Sequence, residues 1–122
     1  MAALIEQLAA LGYVDDRAFA LARARSLGRR GYGEHRVAGA LREAGIEEED
    51  AEAVIGEARD EALATALRFA ARRGIGPFAE ERTDRKGREK ALAAMVRAGH
   101  PFGIARLIVD SPPGEIPGSD II

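Results

Sequence analysis

The 122-residue chain has no cysteine and no tryptophan, and only 5% of its residues are aromatic. Without cysteine there can be neither a disulfide framework nor a thiolate metal site, and nothing points to an oxidising compartment. So few aromatics leave no platform on which nucleic-acid bases could stack. No apolar run approaches the roughly 20 residues of a membrane span. The stretch from Met1 to Gln7 lacks a basic lead and carries Glu6 inside its apolar part, unlike a signal peptide. These absences give the expectation of a cytoplasmic protein without membrane contact. β-Branched residues are sparse and never alternate over a strand's length, whereas Ala, Leu, Arg and Glu, all good helix formers, dominate. The fold class is therefore read as all-α, with 47% hydrophobic content sufficient for a core.

What the chain does have is a recurring helix ending. Leu8-x-x-x-Gly12-Tyr13, Leu41-x-x-x-Gly45-Ile46 and, more weakly, Met95-x-x-x-Gly99-His100 share one spacing. With the glycine in the left-handed conformation just past the helix, the residue four before it and the residue after it are the pair that touch in a Schellman cap. The spacing thus predicts positive φ at Gly45 with Leu41 meeting Ile46, and the same behaviour at Gly12. Repeated helical units usually build surfaces rather than reaction centres.

A short helix is expected over Leu4–Leu11. Asp15 and Asp16 supply carboxylates for the start of a helix running to about Arg29, with Phe19, Ala20, Ala24 and Leu27 inward. Glu34–Ala44 reads as the next helix, with Val37, Leu41 and Ala44 on one face. Glu47–Asp50 crowds negative charge at the start of a third, and its helical pattern continues through Leu63, Leu67 and Ala70 to Arg73. Residues 75–83 read as a loop with Phe78 tucked back. A helix capped by Asp84 or Thr83 carries Ala91, Leu92 and Met95 inward and stops at Gly99. Pro101 opens a last helix using Ile104, Leu107 and Ile108. The offset that carries Gly33 onto Gly87 also carries Gly45 onto Gly99 and Val54 onto Ile108. The organisation read from this is a remnant of a first helical repeat over 1–14, a three-helix repeat over 15–58, a second over 59–110 with a longer internal loop, and a disordered acidic tail over 111–122.

The net charge of -2 hides segregation. Basic residues prevail from Arg17 to Arg42 and again from Arg68 to Lys90, an acidic run from Glu47 to Glu52 lies between, and no cation follows Arg106. Such segregation points to a charged partner. Enzymatic readings find little support. Asp15-Asp16 reads as helix capping, since no third ligand stands at metal spacing; His35 and His100 are isolated; Gly31-Tyr32-Gly33 and Gly74-Ile75-Gly76 lack the strand and the Lys-Ser/Thr of phosphate loops. No enzyme activity, cofactor or metal is expected.

Leu8-Ala-Ala-Leu11-Gly12-Tyr13-Val14-Asp15-Asp16-Arg17-Ala18-Phe19-Ala20, a basic helix, a glycine pair and Val37-x-x-x-Leu41-x-x-x-Gly45-Ile46 together resemble the RecX family of recombination regulators. The likeness continues through Arg97-Ala98-Gly99-His100-Pro101-Phe102 and covers nearly everything from Leu4 to Asp110. It implies tandem three-helix repeats forming an elongated body that binds RecA recombinase filaments on single-stranded DNA and restrains their extension and ATP hydrolysis. Family members usually have three repeats, and only the end of the first is legible here.

The candidate partner-binding residues are Arg25, Arg29, Arg30 and Arg36 of the first repeat and Arg72, Arg73, Arg88 and Lys90 of the second. If the repeats stack, these are expected to line one face and offer a row of donors to acidic or phosphate groups. The expected partner is the filament, with a weak direct nucleic-acid contact, and the chain is expected to act as a monomer. The alternative is a direct nucleic-acid binder in which Gly28–Gly33 is the turn of a helix-turn-helix and Arg36 and Arg42 lie on its recognition helix.

Overall fold

A computed structural model describes residues 16–118. It holds α1 (Asp16–Arg29), α2 (Glu34–Glu43), α3 (Glu48–Asp60), α4 (Ala62–Arg73), a 3-10 turn (Gly76–Phe78), α5 (Arg85–Arg97) and α6 (Phe102–Asp110). Among the described residues there is no strand, so the fold is all-α. The helix expected over Leu4–Leu11, the cap at Gly12 and the repeat remnant over 1–14 lie outside the described residues.

Two apolar clusters organise these helices. Ala20, Leu27, Val37, Leu41 and Val54 are buried between α1, α2 and α3. Phe69, Ala70, Ile75, Met95, Ala105 and Ile108 belong to the larger cluster shared by α4, α5 and α6. Tyr32 packs against both clusters. Each cluster closes one three-helix unit, because each helix has a single apolar stripe and needs two neighbours to cover it.

Three readings of the helices need correction. The pattern expected to run unbroken to Arg73 is interrupted at Glu61, whose backbone (φ -101, ψ 12) ends α3 and starts α4. Ala44 is exposed, because it follows the last residue of α2 and lies at the cap. Leu107 is 51% exposed, and the buried stripe of α6 is Ala105, Ile108 and Val109. Those positions stand three and four apart, the spacing of one helical face, and Leu107 falls off it.

The caps have the expected geometry. Gly45 has φ +73, its N–H donates to the Arg42 carbonyl, and the Ile46 N–H donates to the Leu41 carbonyl at 3.1 Å. Ile46 packs against the cluster that contains Leu41. Gly99 (φ +97) repeats this, with the His100 N–H on the Met95 carbonyl. Two further caps of this kind went unread: the Tyr32 N–H reaches Leu27 around Gly31, and the Ile75 N–H reaches Ala70 around Gly74. In the first the signature is crowded by Gly28 and Gly33; in the second an alanine stands where leucine was sought.

The offset relating the two units holds at Leu41 and Met95 and at Val54 and Ile108, all fully buried, but not at Gly33 and Gly87. Gly33 is the residue before α2, whereas Gly87 lies within α5 and donates its N–H to the Asp84 carboxylate at 2.8 Å. The reason is length, since α5 has 13 residues and α2 has 10. Residues 111–118 form no helix, but the Gly114 N–H donates to the Pro77 carbonyl at 2.8 Å and holds this part of the tail against the second unit.

The two units meet end to end. The Gly33 and His35 N–H groups donate to the Ala98 and Gly99 carbonyls at 2.9 and 3.0 Å, so donors orphaned at the start of α2 satisfy acceptors orphaned at the end of α5. The approach is so close that a Cβ on Gly33 would stand 2.5 Å from the Gly99 carbonyl carbon. Elsewhere at the joint, Arg72 of α4 donates from Nη1 to the Arg30 carbonyl and from Nη2 to the Arg29 carbonyl, both at 2.8 Å.

Candidate basic binding clefts

Arginines dominate the surface of α1 and the turn after it, and few of them have acidic partners. Among the described residues the ion pairs are Arg59 with Glu34 at 3.1 Å, Arg85 with Glu89 at 3.2 Å and Arg106 with Asp110 at 3.6 Å. None uses an arginine of α1 or the turn after it. Solvent alone screens that charge unless a partner supplies anions.

The candidates of the first unit divide between two clefts rather than lining one face with those of the second. A cleft of about 420 Å³ opens between α1 and α2, with Arg23, Arg30, Tyr32, His35, Arg36 and Glu43 in its wall. The Gly31 cap reverses the chain, and this brings Arg30 and Arg36 to the same aromatic ring. Each guanidinium carbon lies 5.3 Å from the Tyr32 ring centroid, within cation–π range. A second cleft of about 350 Å³ lies between α1, α3 and α4, and there Arg25, Arg29 and Arg68 share the wall with Glu57 and Glu61. Arg68 is held by a bond from Nη2 to the Thr65 hydroxyl at 3.1 Å. The first cleft is the more cationic of the two.

In the second unit the candidate cations are engaged internally. Arg72 holds the end of α1 as described above. Arg73 lies over the Phe69 ring at 5.1 Å, and Arg88 donates from Nη1 to the Thr83 carbonyl at 2.9 Å, bracing the loop before α5. Lys90 is exposed on α5. The structure therefore brings Arg30 and Arg36 together and Arg25 and Arg29 together; Arg72 reaches only the backbone carbonyls of Arg29 and Arg30, and Arg72, Arg73, Arg88 and Lys90 line neither cleft. Arg23, Tyr32 and Arg68 escaped the sequence reading. Arg23 and Arg30 stand seven apart, two helical turns, which was the available signal for one shared face.

His100 marks the joint. It is fully buried, its ring lies 5.3 Å from that of Phe69, and neither ring nitrogen makes a well-formed hydrogen bond among the described residues. Burial pushes the imidazole below its usual 6.5, and the nearby backbone of Gly31 opposes that shift only in part. The ring is thus an apolar wedge between the units. The described residues contain no group of three His, Cys, Asp or Glu side chains able to hold a metal ion, and none of their helices is long and apolar enough to cross a membrane.

These features define a helical-repeat protein that presents arginine-lined clefts around one helix. Residues 15–55, which span α1, α2 and most of α3, match the family model described as RecX, second three-helix domain. Over 114 residues the chain is 33% identical to "Regulatory protein RecX" of Myxococcus xanthus (strain DK1622), an alignment covering 91% of this chain. The chain is thus similar to the RecX family over most of its length. It spans 61% of the length of that relative. No solved structure gives a significant match.

Proposed function

We propose that this chain regulates RecA recombinase filaments on single-stranded DNA, restraining their extension and the coupled hydrolysis of ATP without chemistry of its own. The observation that carries this reading is the set of arginines, without ion-pair partners among the described residues, that converge in two clefts on either side of α1. They offer forked donors at fixed positions, suited to carboxylates or phosphates on a large partner. The resemblance to the RecX family is what points to RecA as the partner. Direct nucleic-acid binding through α2 fits the geometry less well. A recognition helix reads bases with its first residues, and the start of α2 is occupied by the end of α5, with the Gly33 and His35 N–H groups already used.

The test is the variant Arg25→Glu/Arg29→Glu/Arg36→Glu, which reverses charge in both clefts. It is expected to lose all slowing of RecA's DNA-dependent ATP hydrolysis while keeping the helical circular dichroism of the parent, because exposed charges contribute little to folding. Inhibition equal to the parent's would show that these arginines only solvate the surface.

A further inference from the structure

The cleft between α1 and α2 has a chemistry more particular than positive charge. Two guanidinium groups converge on one tyrosine, with Arg23 and His35 beside them. A guanidinium stacked over a ring keeps its N–H edge free, and that edge matches the two oxygens of a carboxylate or phosphate. The stacking also removes conformational freedom that binding would otherwise cost.

We propose that this cleft is the docking site for an acidic segment of a partner protein, with two neighbouring side-chain carboxylates taken by Arg30 and Arg36. Three observations favour carboxylates over a nucleic-acid strand. The donors converge in a pocket between two helices instead of forming a row along a ridge, so they suit one or two anionic side chains better than evenly spaced phosphates. Tyr32, the aromatic of the cleft, already carries guanidinium groups and is half-buried between both apolar clusters, so it offers no platform for a base. Glu43 lines the cleft and the acidic run Glu47–Asp50 begins four residues later, so a polyanion continuing past the arginines meets like charge. A short acidic segment engages the pocket alone. The proposal rests on the regulatory reading for the identity of the partner, and on the cleft itself for the chemistry.

The experiment measures fluorescence anisotropy of a labelled oligoglutamate peptide and of a labelled oligodeoxythymidylate, each titrated with the full chain. The parent is expected to bind the peptide. Arg30→Gln/Arg36→Gln should weaken that binding by at least about tenfold, as expected for loss of two charged donor forks. Lys86→Gln/Arg97→Gln, at exposed cations outside both clefts, should leave it within about twofold. Arg36→Lys keeps the charge but loses the fork and should give an intermediate loss, which guards against a fold defect in the double variant. Absence of peptide binding, equal losses in both double variants, or a larger effect of Arg30→Gln/Arg36→Gln on the DNA than on the peptide would each overturn the proposal, the last by making the cleft a nucleic-acid site. RecA ATP hydrolysis measured with the same proteins separates the two readings: slowing without peptide binding leaves the regulatory reading standing and removes this one, and peptide binding without slowing does the reverse.

Discussion

The unit of α1–α3 and the unit of α4–α6 end their middle helices with the same cap, yet the two caps meet different surroundings. A Cβ on Gly45 would project into open space, whereas one on Gly99 would stand 2.4 Å from the backbone nitrogen of Arg36. The arginines differ in parallel. Those of α1 and the turn after it line clefts and form no ion pair among the described residues, while Arg72, Arg73 and Arg88 of the second unit hold a carbonyl pair, a ring and a loop. The second unit acts as the base on which the first is mounted, and the first displays the charge. A repeated backbone motif therefore does not imply a repeated role.

The largest expected effect comes from breaking the contact between units. Gly99→Ala adds left-handed strain, about 1 kcal/mol, to an overlap with backbone that cannot turn aside, about 1–3 kcal/mol more. Gly45→Ala meets only the strain and should cost about 1 kcal/mol. Gly33→Ala separates the two terms from the other side, because its φ of -84 suits any residue and only the overlap remains. Urea unfolding should rank Gly99→Ala as the most damaging and Gly45→Ala well below it. Equal losses at Gly45 and Gly99 would mean that the units do not rest on each other as described.

Much of this architecture was legible in the chain because its signals are local. The Leu41-Gly45-Ile46 and Met95-Gly99-His100 caps depend on residues five apart, and the periodic apolar positions needed no knowledge of neighbours. The joint was not legible, since Gly33 meets Gly99 and Arg72 meets Arg29 and Arg30 across long stretches of chain that carry no pairing signal. For the same reason the arginines were placed on one face. Spacing along a helix puts Arg25 with Arg29, but only the reversal at Gly31 brings Arg30 and Arg36 to one ring. Leu107 was assigned inward together with Ile104 and Ile108, a set with the same three- and four-residue spacing, and only the packing of α6 selects Ala105, Ile108 and Val109 instead.

A smaller effect sharpens the contrast between adjacent arginines. Arg72→Ala removes two hydrogen bonds that tie α4 to the end of α1, and because the side chain is exposed the loss should be about 1 kcal/mol. Arg73→Ala removes a single cation–π contact at the surface and should cost about 0.5 kcal/mol. Arg72→Lys should recover only part of the loss, since an ammonium lacks the planar fork that spans two carbonyls. Thermal unfolding of the three variants checks the order. If Arg73→Ala were the more damaging, Arg72 would be a surface cation and a candidate for partner contact after all.

The last contrast lies one residue beyond each cap, where the first unit has Ile46 and the second has His100. An isoleucine does not titrate, but His100 is buried at the joint with its folded-state pKa lowered by desolvation. The unfolded chain then takes up the proton first as pH falls through 6.5, so it binds more protons than the folded chain and stability declines with acidification. Above about pH 7 the ring is neutral in both states and the term vanishes. His100→Ile makes the second cap like the first and should flatten the melting temperature between pH 7 and pH 5, whatever it does to stability at pH 7. An unchanged slope in the variant would show that the acid sensitivity of the chain arises elsewhere and that the imidazole finds a proton acceptor at the joint when it charges.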